Sequence, residues 1–347
     1  MLTKDSLKYL KHIQIDRPQQ SRYLKKLFSI FESKKYDYDE PVISTTNIDI
    51  PDFDQFVASN LRVKLKEYKN TTSIRWVVKS DYTINCDLYV HTKTKTKIKD
   101  SILNLLVYII SFTASLSNKN REMIIHVAFL PDKKLFLKKF TTNEVNSGVT
   151  SYDDDSATVL VYRKEECVKV IIHEMIHGLS FSDIDDTEEV INHYNSKYNL
   201  DCSKINLNET YTEIWAKIIN WYLVTKLNNT NTKNKYNYFC YLIDSEKTFA
   251  SIQASKIIKH LKKQKKKINL SLNTSVVGYY LAINELINNI DKFLEIKMND
   301  NNIFYLENDS KFNKLMLSFT DKETRLIKKF NKIFNRNFRM TAIELKL

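Results

Sequence analysis

The chain has 347 residues, of which 43% are hydrophobic, so it is long enough for one large domain or two lobes around a substantial core. Its formal charge is +13, but the lysines are spread along the chain, so we interpret the charge mainly as a solubility feature, with weak polyanion binding as a secondary expectation. The four cysteines are widely separated and include no Cys-x-x-Cys pair, which argues against a thiolate metal site and a disulfide framework.

Two features of the sequence argue against a membrane or extracellular location. The first six residues lack the apolar core of a signal peptide. The longest apolar stretch, Ile102 to Leu116, is interrupted by polar residues and is shorter than the roughly 20 residues that a membrane span requires. We therefore expect no membrane span and an intracellular, cytoplasmic protein with reduced thiols.

The spacing of apolar residues predicts a helical lead-in over residues 1–70, broken near Pro18, and then a mixture of helices and strands. The lead-in contains predicted helices over Ser6–Ser33 and Phe53–Tyr68. The elements predicted after it are a hairpin of Ser73–Ser80 and Ile84–His91, a helix of Ile102–Leu116 capped by Asp100, a strand of Met123–Leu130, a loop of Asn143–Thr150 and a strand of Thr158–Tyr162. The last strand has an edge that could lie along a cleft and bind an extended peptide.

A His-Glu-x-x-His motif follows that strand, inside a helical pattern. His173 and His177 are four residues apart, so both imidazoles lie on one helix face and can bind one zinc ion. Apolar residues at helical spacing predict a buried opposite face, with Glu166, His173, Glu174 and His177 facing a cleft. Glu165 and Glu166 would occupy the first turn, and Gly178 would end the helix in a left-handed conformation. The alternative is two structural histidines without a metal.

The rest of the chain is predicted to be helical. A long helix begins near Asn206, and further helices are predicted over Tyr238–Lys263, Ser275–Lys297 and Asp309–Phe334. The lysine-rich run from Lys262 to Lys267 is interpreted as a solvated helix end, with a nuclear-import or nucleic-acid patch as the alternative.

A catalytic zinc ion normally has three protein ligands, so the two histidines need a third. Glu209 is the preferred candidate because it begins a helix and has Glu213 one turn later, where a second carboxylate could hold a ligand histidine by its other ring nitrogen. The alternative for Glu209 is a capping box with Asn206. Asp183 is the alternative third ligand at the spacing of His-Glu-x-x-His-x-x-Gly-x-x-His enzymes, and His193 and Glu213 complete the set.

His173-Glu174-Met175-Ile176-His177 followed by Asn208-Glu209-Thr210-Tyr211-Thr212-Glu213 resembles the two motifs of gluzincins, the thermolysin-like zinc metallopeptidases. Glu213 stands where that family has Asp, and the interval between the motifs is longer than in thermolysin. The resemblance implies an α+β fold, with a mixed sheet lobe and active-site helix followed by an all-α lobe. It also implies zinc, hydrolysis of a protein or peptide substrate, and Glu174 as general base and acid. Tyr279, Tyr280 and His260 are the candidates for the oxyanion donor that such an enzyme uses, and the alternative for each is a ring packed in the core.

These interpretations divide the chain into a helical lead-in at 1–70, a mixed lobe at 71–182 and a helical lobe at 183–347. The run from Arg163 to His177, with Asn146-Ser147-Gly148 upstream, is also similar to uncharacterised metallopeptidase-like proteins of large DNA viruses, which implies a location in a host cell or virion. Two other functions stay open. One is a catalytically inactive metallopeptidase fold that serves as a binding or virion structural protein. The other is a nucleic-acid-associated protein, which the net charge suggests.

Overall fold

The computed structural model describes residues 2–13, 15, 18–53, 55–95, 97–228, 234–270, 274–320 and 336–347. Its contacts divide the chain into two compact units. The sheet unit consists of Glu32–Lys133, Asn146–Ser180 and Leu347. The helical unit consists of Met1–Phe31, Lys134–Val145 and Phe181–Lys346. The expected mixture of helices and strands is therefore confirmed, and each unit draws on more than one stretch of the chain.

The sheet unit contains one mixed sheet of seven strands. The strands are β1 (Asp37–Tyr38), β2 (Val42–Thr46), β3 (Asn70–Lys79), β4 (Thr83–Thr92), β5 (Arg121–Leu130), β6 (Gly148–Tyr152) and β7 (Ser156–Arg163). Their order is β1-β3-β4-β5-β7-β6, and β2 also pairs with β3. The predicted hairpin is confirmed as the antiparallel pair β3 and β4, and β5 pairs in parallel with both β4 and β7.

The edge strand of this sheet differs from the predicted one. Residues Gly148–Tyr152 form β6, whereas the sequence predicted a loop through Thr150. This strand pairs antiparallel with β7 and ends the strand order, so β7 is an interior strand. The prediction was wrong because β6 is only five residues long and begins with glycine, a composition that is typical of turns.

Three helices belong to the sheet unit: α3 (Ser59–Leu65), α4 (Asp100–Ala114) and α6 (Cys167–Gly178). The predicted helix over Phe53–Tyr68 is limited to α3, whose Leu61 and Leu65 pack with Leu160 and Tyr162 of β7. Asp100 is the first residue of α4 rather than its cap, because Lys99 holds the cap position. Within the apolar α4, the buried hydroxyl of Ser111 accepts a hydrogen bond of 2.9 Å from the indole of Trp76.

The helical unit contains the other helices of the described residues. They are α1 (Lys4–His12), α2 (Arg22–Ser33, whose last two residues belong to the sheet unit), α5 (Thr142–Val145), α7 (Glu188–Tyr198), α8 (Leu207–Leu227), α9 (Lys235–Leu261), α10 (Ile283–Asn288), α11 (Ile290–Lys297) and α12 (Asp309–Leu317), with a π-helical segment at Val277–Ala282. The lead-in helices α1 and α2 are separated around Pro18, as predicted. Of the predicted helix Asp309–Phe334, residues 321–335 lie outside the described part of the chain.

Helix α8 is surrounded by the core of the helical unit, and it is buried on all sides rather than on the one predicted face. The buried residues of this helix include Glu213 and Lys217, which are 0% exposed, together with Trp215 and Trp221. Within the described residues, no helix combines the length and the apolar character that a membrane crossing needs.

Candidate functional site

The His-Glu-x-x-His motif lies on α6, and the two ends of this helix differ from the predicted ones. Glu166 is the cap residue, with a left-handed φ of 61°, so the predicted acidic first turn is absent from this helix. Gly178 is the last helical residue, and the left-handed residue after it is Ser180, with φ 56°. Gly178 instead allows close packing, because a Cβ atom there would lie 2.9 Å from the Cβ of Ala157 on β7.

The surroundings of α6 also differ from the predicted two-faced helix. It packs on β6 and β7 and against α4, and His177 is its one residue that is not buried. His173 is 3% exposed and Glu174 is 7% exposed. The apolar face was predicted correctly, whereas the polar face is also largely buried.

The two histidines of the motif lie side by side on this helix. Their ring centroids are 5.0 Å apart, and the ring planes are inclined by 73°. This separation follows directly from the four-residue spacing on a helix.

Glu174 lies against the edge strand β6. The hydroxyl of Thr150 donates a hydrogen bond of 2.7 Å to Glu174 Oε2, and it lies 3.0 Å from the Glu174 carbonyl oxygen. A Cβ atom at Gly148 would lie 2.6 Å from Glu174 Oε1 and 2.7 Å from its Cγ, so only glycine fits at this position without a shift. The edge strand therefore both orients this carboxylate and leaves space for it.

The carboxyl end of α6 is bound by Arg121, the first residue of β5. Its guanidinium donates to the carbonyl of Gly178 and, over 3.0 Å, to the hydroxyl of Ser180. The same guanidinium donates to the carbonyls of Asp153 and Asp154 in the turn between β6 and β7. A buried cation at this position complements the negative end of the helix dipole.

In the helical unit, Glu209 lies in the first turn of α8. The start of this helix is capped by Asp186, whose Oδ2 accepts the backbone N–H groups of Ile205 and Asn206, each over 2.6 Å, and whose Oδ1 accepts that of Leu207 over 2.8 Å. The side chain of Asn206 instead donates to Ser275 Oγ over 2.7 Å. The capping-box alternative for Asn206 and Glu209 is therefore wrong, because Asp186 takes the role of the cap.

The carboxylate of Glu209 is bound by one of the predicted oxyanion donors. Tyr279 Oη donates a hydrogen bond of 2.8 Å to Glu209 Oε2. Tyr279 belongs to the π-helical segment, which approaches α8 closely at Gly278, where a Cβ atom would lie 2.7 Å from the carbonyl oxygen of Asn206. Such π-helical turns are frequent at functional sites.

The other predicted oxyanion donors have different surroundings. Tyr280 is 2% exposed, stacks on the Phe338 ring at 4.2 Å between centroids, and donates to the Phe338 carbonyl over 2.7 Å. His260, on α9, contacts the Phe140 ring edge-on at 5.4 Å and lies 3.3 Å from Gln264 Nε2. Tyr280 therefore lies in the core of the helical unit, and His260 lies in the wall of a pocket of the same unit.

The remaining predicted residues also lie in the helical unit. Glu213 is buried on α8, with its Oε1 3.6 Å from Lys217 Nζ, and Lys217 Nζ also donates to Glu246 over 3.0 Å. Asp183 is exposed, and its charge contributes to a raised pKa of Asp309, for which burial is the larger cause. His193 lies on α7, where burial and the nearby Lys197 lower its pKa.

Three residues that position the motif side chains were not identified from the sequence. Thr150, Gly148 and Asp186 act through contacts between elements that are distant in the chain or in an unpredicted strand. Only a weak indication of these roles is present in the sequence. Gly148 and Thr150 lie just before a strand that leads into the motif helix, and Asp186 lies in the acidic segment before α8.

No protein-family model, no curated protein and no solved structure matches this chain.

Proposed function

We propose that the protein is a zinc-dependent metallopeptidase that hydrolyses peptide bonds. The observation that carries the proposal is the motif helix α6, on which two adjacent imidazoles accompany a carboxylate that the edge strand holds by a hydrogen bond. A helix retained only for packing has no need of two histidines and an acid on one stripe, because each polar group would require its own partner in the core.

The proposed zinc ligands are His173, His177 and Glu209, each of which offers one nitrogen or oxygen atom. Two imidazoles and one carboxylate match the donor set of catalytic zinc sites, which retain an open position. The hydrogen bond from Tyr279 to Glu209 supports this assignment, since ligand carboxylates are commonly held by a second hydrogen bond. Glu213 stays the predicted partner of a ligand histidine.

A bound zinc ion would supply a water of lowered pKa and would polarise the scissile carbonyl. In the proposed mechanism Glu174 accepts the proton of the attacking water and donates it to the leaving amine. Thr150 keeps the Glu174 carboxylate in one orientation through the bond to Oε2. Burial of Glu174 at 7% exposure limits the water that competes for its oxygen atoms.

We further propose that the peptide substrate binds along β6. This strand pairs with β7 on one side and ends the order of the described strands, so its other side can accept an extended peptide as an additional strand. Because β6 also carries Thr150, the substrate backbone would be aligned with the strand that orients Glu174. The sequence suggested that the edge of the strand 158–162 binds the peptide. We propose that the edge of β6 binds it instead.

Metal analysis combined with cleavage of a peptide library tests the proposal. We expect stoichiometric zinc and cleavage by the natural chain. Glu174→Gln should retain zinc and lose activity by about 10²–10⁴-fold, the usual contribution of general acid–base catalysis. His177→Ala should lose both zinc and activity. The control is Glu122→Gln, which removes an exposed carboxylate from β5 and should change neither.

The outcomes separate the alternatives. A natural chain that lacks zinc after purification with zinc present contradicts the metallopeptidase proposal. Zinc without cleavage of any library peptide would favour a binding protein with an inactive metallopeptidase site.

A further inference from the structure

The helical unit contains a pocket that the proposed peptidase chemistry does not use. It has a volume of about 560 Å³ and is formed by residues 138–142 together with residues from the end of α9 and the following segment, up to Leu270. This volume is within the range of pockets that bind small ligands, roughly 300–1,000 Å³. His260, one of the predicted oxyanion donors, lies in its wall.

The charged residues of the pocket wall are all basic. They are Lys138 and Lys139, which lie beside the imidazole of His260, and the described lining includes no aspartate or glutamate. Thr141, Thr142, Gln264 and Asn269 add neutral hydrogen-bonding groups. Burial and, after it, the charge of Lys138 lower the pKa of His260; Glu144 opposes them, and Lys263 adds the smallest lowering effect.

The carboxylate of Glu144 accepts hydrogen bonds from the backbone of the pocket loop, residues 137–141. It is 1% exposed, and its oxygen atoms accept the N–H groups of Leu137 at 2.5 Å, Lys139 at 3.4 Å and Thr141 at 3.2 Å. The negative charge therefore faces away from bulk solvent and holds the loop that presents Lys138 and Lys139.

The loop is fixed in an unusual backbone conformation. Lys138 has φ 67° and Phe140 has φ 54°, in the left-handed region that a bulky side chain rarely adopts. The Phe140 ring packs near the rings of Phe136 and Phe338, and the Phe140 carbonyl accepts a hydrogen bond of 3.1 Å from Thr274. Strained residues of this kind persist where the surroundings enforce them, and they are concentrated at ligand sites.

The pocket continues into the most basic stretch of the sequence. Five exposed lysines lie between residues 262 and 267, directly after His260. A single phosphate group would occupy only part of this surface, whereas a chain of phosphates could contact the pocket and the lysine run together.

We propose that this pocket binds a phosphate group and that the adjoining lysine run binds further phosphates of the same ligand, as in a nucleotide or a nucleic-acid strand. No exposed aromatic ring lies among the described lining residues, so stacking on bases contributes little. Binding is therefore sensitive to salt and indifferent to base sequence.

The test is titration of the full chain with inorganic pyrophosphate and, separately, with fluorescent single-stranded dT and dA oligonucleotides at several salt concentrations. The double substitution Lys138→Gln with Lys139→Gln should weaken binding of both probes by roughly tenfold or more, the effect of losing a charge-assisted hydrogen bond. It should also make the slope of log binding constant against log salt concentration less negative by about one unit for each lysine in oligonucleotide titrations.

The matched control is Lys25→Gln with Lys26→Gln, a pair of exposed neighbouring lysines on α2. It removes the same charge and should leave both affinities unchanged. Both double variants retain His173, His177 and Glu209, so any pyrophosphate binding to a metal ion would be equal in the two proteins.

A triple substitution of Lys265, Lys266 and Lys267 by Gln distinguishes the two ligand sources. If it weakens oligonucleotide binding and spares pyrophosphate, the ligand is a nucleic-acid strand; if it weakens both, the ligand is a compact polyphosphate such as a nucleotide. If it affects neither, the lysine run binds no phosphate and that part of the proposal is overturned. Equal losses in the pocket variant and the α2 control, or no binding of either probe by the natural chain, would overturn the proposal.

Discussion

At the scale of single residues, the hydrogen bond between Thr150 and Glu174 fixes the orientation of the motif carboxylate. The hydroxyl lies 2.7 Å from Oε2 and also contacts the Glu174 carbonyl, so one side chain of the edge strand binds both ends of the same residue. A glutamate side chain on a helix has several rotamers, and this bond selects one of them.

We predict that Thr150→Val, which removes the hydroxyl and keeps the branched shape, lowers kcat by roughly tenfold while the zinc content is unchanged, as expected for a residue that orients a reacting group. Peptide cleavage assays and metal analysis of the same samples measure the two effects. Thr158→Val on the neighbouring strand is the control, because that threonine is similarly half-buried. An unchanged kcat in the Thr150 variant would mean that the hydrogen bond has no part in the reaction.

The residues that could be predicted from sequence are those whose role follows from spacing along one helix. His173, Glu174 and His177 are four residues apart at most, and helix geometry alone makes the two rings neighbours. Thr150 and Gly148 could not be identified in this way, since their role depends on the pairing of β6 with β7 and on the packing of α6 against both strands.

At the scale of elements, the start of α8 shows how one carboxylate can fix the position of a functional turn. Asp186 accepts three consecutive backbone N–H groups: that of Ile205, just before the helix, and those of Asn206 and Leu207, which the helix itself cannot satisfy. Its negative charge also lies at the positive end of the helix dipole. Glu209 follows within the first turn, so the orientation of its carboxylate depends on this cap.

We predict that Asp186→Ala lowers the free energy of unfolding by about 1–2 kcal/mol, the cost of removing a helix cap. Chemical denaturation followed by circular dichroism measures this change. Asp185→Ala is the control, because Asp185 is exposed and its charge already opposes ionisation of Asp309, so its removal should be nearly neutral. A similar loss of unfolding free energy in both variants would show that the negative charge of the segment, rather than the cap, stabilises α8.

The long apolar elements were predicted well, and the short ones were not. The hairpin β3–β4 and the helix α4 have strong periodic patterns, and their observed bounds differ from the predicted ones by only a few residues. The predicted helix Ser275–Lys297 is divided into the π-helical segment, α10 and α11. Gly278 lies in the π-helical segment and approaches α8 closely, and the apolar pattern of residues 275–297 does not contain this tertiary contact.

At the scale of the folded molecule, the sheet unit encloses a pair of histidines on its central strands. His91 on β4 and His126 on β5 lie 3.0 Å apart, from Nε2 to Nδ1, and Thr71 on β3 lies 3.0 Å from the other nitrogen of His91. Both rings are nearly inaccessible, at 0% and 3% exposure. Burial lowers the pKa of His91 to about 4 against a small opposing effect of Asp49, and burial together with His91 lowers the pKa of His126 to about 3.

We predict that the protein loses stability as the pH falls from about 6.5 toward 4. In this range the unfolded chain binds protons at both histidines while the folded protein keeps them neutral, so protonation favours unfolding. For one such histidine the loss amounts to about 2 kcal/mol at pH 5, and little is lost above pH 7. Denaturation curves from pH 5 to pH 8 measure this dependence.

His126→Gln should flatten the pH dependence, at the expense of some stability at neutral pH. His12→Gln, at an exposed position on α1, should leave the dependence intact. A pH profile that is equally steep in the His126 variant and in the natural chain would assign acid sensitivity to other groups.

The chain uses glycine only three times, and at all three a methyl group would collide with a neighbouring element. Gly148 faces Glu174, Gly178 ends the helix of the two histidines, and Gly278 abuts the start of the helix that carries Glu209. Because none of them has a positive φ, each is required for space rather than for backbone freedom. Random replacement of residues across this protein should therefore find its least tolerant backbone sites at these three positions, and alanine there would displace the reactive groups before it unfolded the core.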